Sequence, residues 1–151
     1  MPANRGIRLI YGGGGVGMMG AVADGTLEGD GEVTGVIPVF LNTRELKHPD
    51  VDDLRVGETM HERKQIMVTE SDAFLALPDG FGTLDELFEV LTWGQMAIHD
   101  RPVGILNIDG FFDGILASLD VMVERGFLRQ EDRERVVTGV TVESVLETMA
   151  A

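Results

Sequence analysis

Short apolar runs of strand length recur along the chain, each followed by a turn-rich break and a segment in which apolar residues return every three or four positions. The first run covers residues 6–11 and ends in Leu9-Ile10-Tyr11. The glycines of Gly12 to Gly20 follow it and lead into a helix from about Val16 to Glu28, stopped by Gly29-Asp30-Gly31. Val33 to Ile37 reads as the second strand, leaving through Pro38-Val39-Phe40. Pro38 to Asp53 is a long polar connection containing His48-Pro49-Asp50, of a length that is often functional. Leu54-Arg55-Val56 is a brief strand, and residues 58–67 form a helix with Thr59 as cap and Met60, Ile66 and Met67 as a partly apolar face.

Ala73 to Leu77 is a buried strand, broken by Pro78, Gly80 and Gly82. The helix that follows is expected from about Leu84 to Ile98. Leu84, Leu87, Phe88 and Leu91 fit the i, i+3, i+4, i+7 spacing and are expected to face the sheet. Glu86, Val90, Trp93 and Ala97 lie on another stripe, so the helix is apolar on two sides and calls for two packing partners, the sheet and a second subunit. Downstream come a strand over 103–108, a helix from about Asp113 to Arg125 stopped by Gly126, a short charged helix over Gln130 to Arg135 and a strand at Val136-Val137. A final helix runs from Thr141 to Ala150, with Thr141 as cap and Val142, Val145, Leu146 and Met149 as its stripe. Strands alternate with helices throughout, which predicts a single α/β domain over residues 1–151 with a mostly parallel sheet.

Two of the strand-to-helix connections have the form of anion sites, in which a glycine loop delivers the chain to a helix N-terminus with unpaired amides and partial positive charge. In the later one, Thr83-Leu84-Asp85-Glu86 has the spacing of a capping box, with Thr83 as cap. Such a box is by itself a purely structural role for Glu86. The earlier one holds two overlapping G-x-G-x-x-G matches, Gly12, Gly14, Gly17 and Gly15, Gly17, Gly20. A dinucleotide site also wants an acid about 20 residues on, at the end of the second strand, and residues 37–40 supply none. A mononucleotide or sugar phosphate fits better than NAD.

Charge narrows the ligand further. Twelve Lys and Arg against 26 Asp and Glu give a net charge of −14, which disfavours nucleic acid. A bound phosphate must be held locally by loop amides and one or two placed cations. Arg63 and Lys64 are adjacent in the helix over 58–67, and Lys64 is one of two lysines in the chain. On a generic helix such a pair is a solvated face. Without cysteine there are no disulfides or thiolate metal sites. No apolar run approaches the ~18–20 residues that span a bilayer, and MPANRG has no signal-peptide core. These features point to a cytoplasmic protein without a membrane partner.

The stretches YGGGGVGMMGAVAD, GVIP, MHERK, LPDGFGTLDELFEVLTWGQ and IHDRPVGILN resemble the Lonely guy family of cytokinin riboside 5′-monophosphate phosphoribohydrolases, long labelled lysine decarboxylases. The family signature P-G-G-x-G-T-x-x-E reads here Pro78-Asp79-Gly80-Phe81-Gly82-Thr83-Leu84-Asp85-Glu86. The resemblance implies a Rossmann-like parallel sheet flanked by helices and a homodimer whose active sites involve the subunit interface. It implies hydrolysis of the N-glycosidic bond of an adenine-type nucleoside 5′-monophosphate to free base and ribose 5-phosphate, with no metal or organic cofactor. The family's catalytic arginine and glutamate fall on Arg63 and Glu86. Substrate contacts fall on Gly13, Gly14, Gly15, Met60, Lys64, Gly80, Gly82 and Thr83. Chemistry agrees, because breaking an N-glycosidic bond builds positive charge on the ribose, and a carboxylate can stabilise that charge or activate water. An arginine can grip phosphate bidentately or orient the sugar. The decarboxylase label needs a Schiff-base lysine, and neither Lys47 nor Lys64 has the context of one.

The sequence departs from the family pattern in two places. Asp79 replaces a signature glycine; aspartate tolerates a left-handed backbone, but its charge opposes a phosphate. The chain also starts at what resembles the family's second strand, so the sheet is N-terminally short. Losing a central strand is expected to leave a gap in it. A nucleotide-binding or interaction module without turnover is the alternative to an enzyme.

Overall fold

The computed structural model describes residues 5–151. The chain forms two compact units, one ending at Ser71 and the other running from Asp72 to Ala151.

The first unit contains β1 (Leu9–Tyr11), α1 (Gly17–Leu27), β2 (Val33–Pro38), β3 (Asp53–Gly57) and α2 (Met60–Glu70). Its sheet has the order β1-β2-β3 and is parallel, with Leu9 opposite Val33, Tyr11 opposite Gly35, and Pro38 opposite Gly57. All six residues of β2 are buried, as a continuous apolar run covered on both faces of a parallel sheet must be. The one polar side chain in that run, Thr34, is satisfied by donating to Asp53 Oδ2 at 2.7 Å. That hydrogen bond, with Arg55, holds the Asp53 carboxyl below the usual carboxylate range. Tyr11, Ala23, Val33 and Val51 form the core between α1 and the sheet, with Leu9, Val22 and Leu27 against it. Thr59 caps α2 as expected, its hydroxyl accepting from the Glu62 amide at 3.1 Å.

The second unit contains β4 (Phe74–Ala76), α3 (Phe81–Gln95), β5 (Val103–Leu106), α4 (Asp113–Glu124), α5 (Gln130–Glu134), β6 (Val136–Gly139) and α6 (Val142–Ala150). Its sheet is parallel, in the order β4-β5-β6, and the central β5 is buried throughout. Gly104 in β5 lets α6 lie close: a Cβ there would stand 2.5 Å from Met149 Sδ and 2.6 Å from Val145 Cγ1. Thr141 starts α6 in a capping box with Ser144.

The parallel α/β arrangement is as expected, and the strands pair as two three-stranded sheets, one in each unit. The reading of α3 needs correction. The helix starts at Phe81, and its buried residues are Leu87, Val90 and Gly94. Phe88, expected to face the sheet, is 38% exposed. Val90, assigned to the second stripe, is core. Among the described residues, no helix is long and apolar enough to cross a membrane.

Candidate active site

In the first unit the glycine-rich turn between β1 and α1 is held by a segment of the long polar connection. The His48 amide donates to Gly13 O at 3.0 Å, and the Gly15 amide donates to Leu46 O at 2.8 Å. These contacts make an antiparallel bridge of Gly14 with Lys47. From β1, the Tyr11 hydroxyl donates to Gly14 O at 3.0 Å. Burial of that hydroxyl, reinforced by the Asp24 carboxylate, pushes the Tyr11 pKa up to about 12. His48 is 3% exposed. Its Nδ1 accepts from the Asp50 amide at 3.1 Å, and its Nε2 lies 3.0 Å from Asp24 Oδ1 on α1. The neutral ring that satisfies both contacts carries its proton on Nε2 and donates to the carboxylate.

This packing changes the expectation for the turn. Gly13 has φ +75° and meets the left-handed requirement that only glycine satisfies cheaply. The Gly15 amide, expected to cradle phosphate, is instead spent on the Leu46 carbonyl. The turn follows the second G-x-G-x-x-G match: α1 opens at Gly17, with φ +62°, and Gly20 sits against the Gly15 carbonyl.

Arg63 lies in the first turns of α2 and is 7% exposed. Its Nε donates to Val36 O at 2.9 Å, and its Nη2 to Gly12 O at 3.4 Å. Met60 Sδ is 3.9 Å from Nη1. A guanidinium so buried requires such partners, and they set it between β2 and the glycine-rich turn. Arg63 is therefore no part of a solvated face. Lys64 beside it is half-buried, and Met60 is 37% exposed.

In the second unit the residues of the signature occupy the start of α3. Gly80 is the N-cap, in extended backbone with no side-chain cap, so Phe81, Gly82 and Thr83 form the first turn with their amides directed outward. Thr83 is thus not the cap, and no capping box links it to Glu86. The helix begins three residues before the S/T-x-x-E spacing would start it, with glycine, itself a favoured N-cap residue, at position 80. The Thr83 hydroxyl donates to Asp79 Oδ2 at 3.2 Å. Glu86 falls in the second turn, half-buried, with an interaction of its own. At Gly80 and Gly82 a Cβ would meet nothing within 4 Å; these glycines keep the approach to the helix N-terminus open.

Of the sequence-derived residues, the first unit therefore holds Gly13, Gly14, Gly15, Met60, Arg63 and Lys64, with Arg63 packed on the same turn as the glycines. The second holds Gly80, Gly82, Thr83 and Glu86 around one helix start. Tyr11, Asp24 and His48 were not singled out as part of the site. The one hint of His48 was the His-Pro-Asp sequence in an overlong polar connection. Further along α3, an open groove of about 480 Å³ is lined by Phe81, Leu84, Asp85, Phe88, Glu89, Thr92 and Trp93; Phe81 is 91% exposed.

Parallel strands feeding helices through glycine turns define a Rossmann-like α/β protein. A family model described as "Possible lysine decarboxylase" matches residues 19–149. The probable cytokinin riboside 5′-monophosphate phosphoribohydrolase LOGL1 of Oryza sativa subsp. japonica is 45% identical over 97% of this chain and 66% of its own length. Cytokinin riboside 5′-monophosphate phosphoribohydrolase LOG3 of Arabidopsis thaliana is 44% identical over 97% of this chain and 68% of its own. The Oryza protein LOG is 45% identical over 94% of this chain and 59% of its own. The chain belongs to this family, the Lonely guy family, and spans about two thirds or less of the length of these relatives. Among solved structures, a molybdenum cofactor binding protein from the phototrophic bacterium Rippkaea orientalis superposes with a TM-score of 0.72 at 26% identity, covering 99% of this chain and 79% of that one.

Proposed function

We propose that the protein hydrolyses the N-glycosidic bond of adenine-type nucleoside 5′-monophosphates, cytokinin riboside monophosphates and AMP among them. Water adds to C1′ of the ribose, the C1′–N9 bond breaks, and its electron pair leaves with the base. The products are ribose 5-phosphate and the free base, which takes up the proton released by the water. The bond that breaks leaves a ribose with oxocarbenium character. Glu86 is assigned to stabilise that charge and to take the proton from the attacking water.

Arg63 is assigned the sugar rather than the phosphate. Its Nε and Nη2 already donate to the Val36 and Gly12 carbonyls, which removes one of the two edges a bidentate phosphate grip would use. The phosphate is assigned to the first-turn amides of α3 at Phe81, Gly82 and Thr83, helped by the helix dipole, and Lys64 is assigned a substrate contact by the family resemblance. Met60 and the glycines Gly13 and Gly14 are assigned to the walls of the substrate site. The observation that carries this reading is the buried Arg63, a charge held against a glycine turn by two main-chain carbonyls, in a chain whose relatives are named for this reaction.

The same reading takes the whole chain as one working domain, cytoplasmic and without nucleic acid or membrane as partner, in line with its net charge of −14. It also takes the protein as a homodimer. The exposed Phe81 and Phe88 on the outer face of α3 favour a covering copy of the chain.

The test is incubation of the purified protein with AMP, isopentenyladenosine monophosphate and the matching nucleosides, with free base read by chromatography. Release from a monophosphate, and not from its nucleoside, is expected. Binding of the monophosphate without release contradicts the enzyme and leaves a nucleotide-binding module.

A further inference from the structure

The glycines around the first turn are not equivalent. Gly13 and Gly17 have φ values of +75° and +62°, where the backbone itself demands glycine. Gly20 is required by packing, because a Cβ would strike the main chain of Gly15. Gly12 fits neither case. Its φ lies outside the left-handed region, so an L side chain is permitted by the backbone.

What excludes a side chain at Gly12 is Arg63. A Cβ built there would stand 2.1 Å from Arg63 Nη2 and 3.4 Å from Cζ, with Met19 Sδ at 2.8 Å. All three atoms belong to the far ends of flexible side chains. The fold can therefore accept a methyl group at position 12, but the guanidinium cannot stay where it is. Moving it breaks the bond from Nε to Val36 O and the one from Nη2 to Gly12 O. Gly57 presents the opposite case on the other side of the same residue. A Cβ there would meet the Arg63 backbone, N at 3.0 Å and Cα at 3.3 Å, so a side chain at 57 would push the helix itself.

We propose that Gly12 is a positioning residue for Arg63: the missing side chain is the seat in which the guanidinium lies. Gly12 then acts on the reaction only through Arg63, and this rests on the role proposed above for that arginine.

The experiment compares Gly12→Ala, Arg63→Ala and the double variant, with kcat/KM for the better monophosphate substrate, thermal unfolding, and the ¹⁵N–¹H signal of the Arg63 Nε–H. Gly12→Ala is expected to melt below the wild type, because the displaced guanidinium gives up two hydrogen bonds, and to lose about a hundredfold in kcat/KM, the scale of a 1 Å misplacement in an active site. Adding it to Arg63→Ala is expected to change kcat/KM by less than about twofold, since its effect passes through the side chain already removed. The Nε–H, slow to exchange in the wild type through its bond to Val36 O, is expected to exchange fast in Gly12→Ala. Wild-type kcat/KM in Gly12→Ala, multiplying losses in the double variant, or an Nε–H still protected would each overturn the proposal. If the wild type releases no base, the reaction assigned above fails, and the exchange of the Nε–H decides the role of Gly12 by itself.

Discussion

Gly20→Ala tests how tightly α1 is seated on the glycine-rich turn. A Cβ at position 20 would lie 2.6 Å from Gly15 O and 2.8 Å from Gly15 C. Ordinary contact begins at 3.4 Å, so the turn and the helix would have to part by 0.8 Å at the oxygen. The turn has nowhere to go. Gly15 is tied to Leu46 through its amide, and its own Cα faces His48, whose Cα would stand 3.0 Å from a Cβ at position 15. His48 is tied in turn to Asp24. Strain of this kind costs about 1–3 kcal/mol. In a chain of this size each kcal/mol moves the thermal midpoint by roughly 2–4 °C. Thermal unfolding followed by circular dichroism should therefore show Gly20→Ala melting several degrees below the wild type. Gly114→Ala is the matched control, because a Cβ there meets nothing within 4 Å; it should melt at or above the wild type, with a gain of about 0.4–1 kcal/mol at most. Gly20→Ala melting with the wild type would refute the close seating of helix on turn.

Three further outcomes follow from single contacts. Asp79→Gly removes a carboxylate from the approach to α3 and releases the Thr83 hydroxyl it now accepts from; the KM for a nucleoside monophosphate should fall, and an unchanged or higher KM would show that Asp79 does not face the phosphate. His48→Ala deletes the acceptor for the Asp50 amide and the donor to Asp24; losing a buried hydrogen-bonded ring should lower stability by about 1–3 kcal/mol in urea unfolding, and a smaller loss would mean that the 43–50 segment holds the turn without it. Asp132 is buried on α5 and held below the usual carboxylate range, first by hydrogen bonds from Arg129 and then by Gln95 and Arg135. A depressed folded pKa adds stability above the unfolded value of about 3.9, and that stability is lost as pH falls through the folded value. Melting points of Asp132→Asn should then depend less on pH below about pH 4 than those of the wild type, and parallel curves would contradict this.

Much of the fold could be read from the order of residues because the relevant signals are local. Val33 to Ile37 and residues 103–108 read as strands from their length and apolar content, and both runs supply the centres of their sheets. Thr59 and Thr141 announced their helices, since a cap acts within three residues of itself. The start of α3 was misread for the same local reason. Thr83 and Glu86 have the spacing of a capping box, but Gly80 is a favoured N-cap residue as well, and nothing in the spacing weighs one start against the other. Phe88 looked like core by periodicity and lies on the outer face, because Leu87, Val90 and Gly94 define the seam that packs. In the candidate site, Arg63 was legible from its neighbours in the chain, whereas its seat was not. Gly12 and Val36 stand 51 and 27 residues away from it, and no periodicity reports such pairs. The loss of the Gly15 amide to Leu46 is long-range in the same sense, as is the burial of His48 against α1.

The role proposed for Glu86, behind the start of α3, is work on the sugar carbon of a bound nucleoside monophosphate. Its most direct test is single-turnover release of base from isopentenyladenosine monophosphate by the wild type and by Glu86→Gln, at equal occupancy of the nucleotide. Glu86→Gln is expected still to bind the nucleotide and to release base at least about a hundredfold more slowly, the range removed with a general acid–base group. Release by Glu86→Gln at the wild-type rate would contradict it.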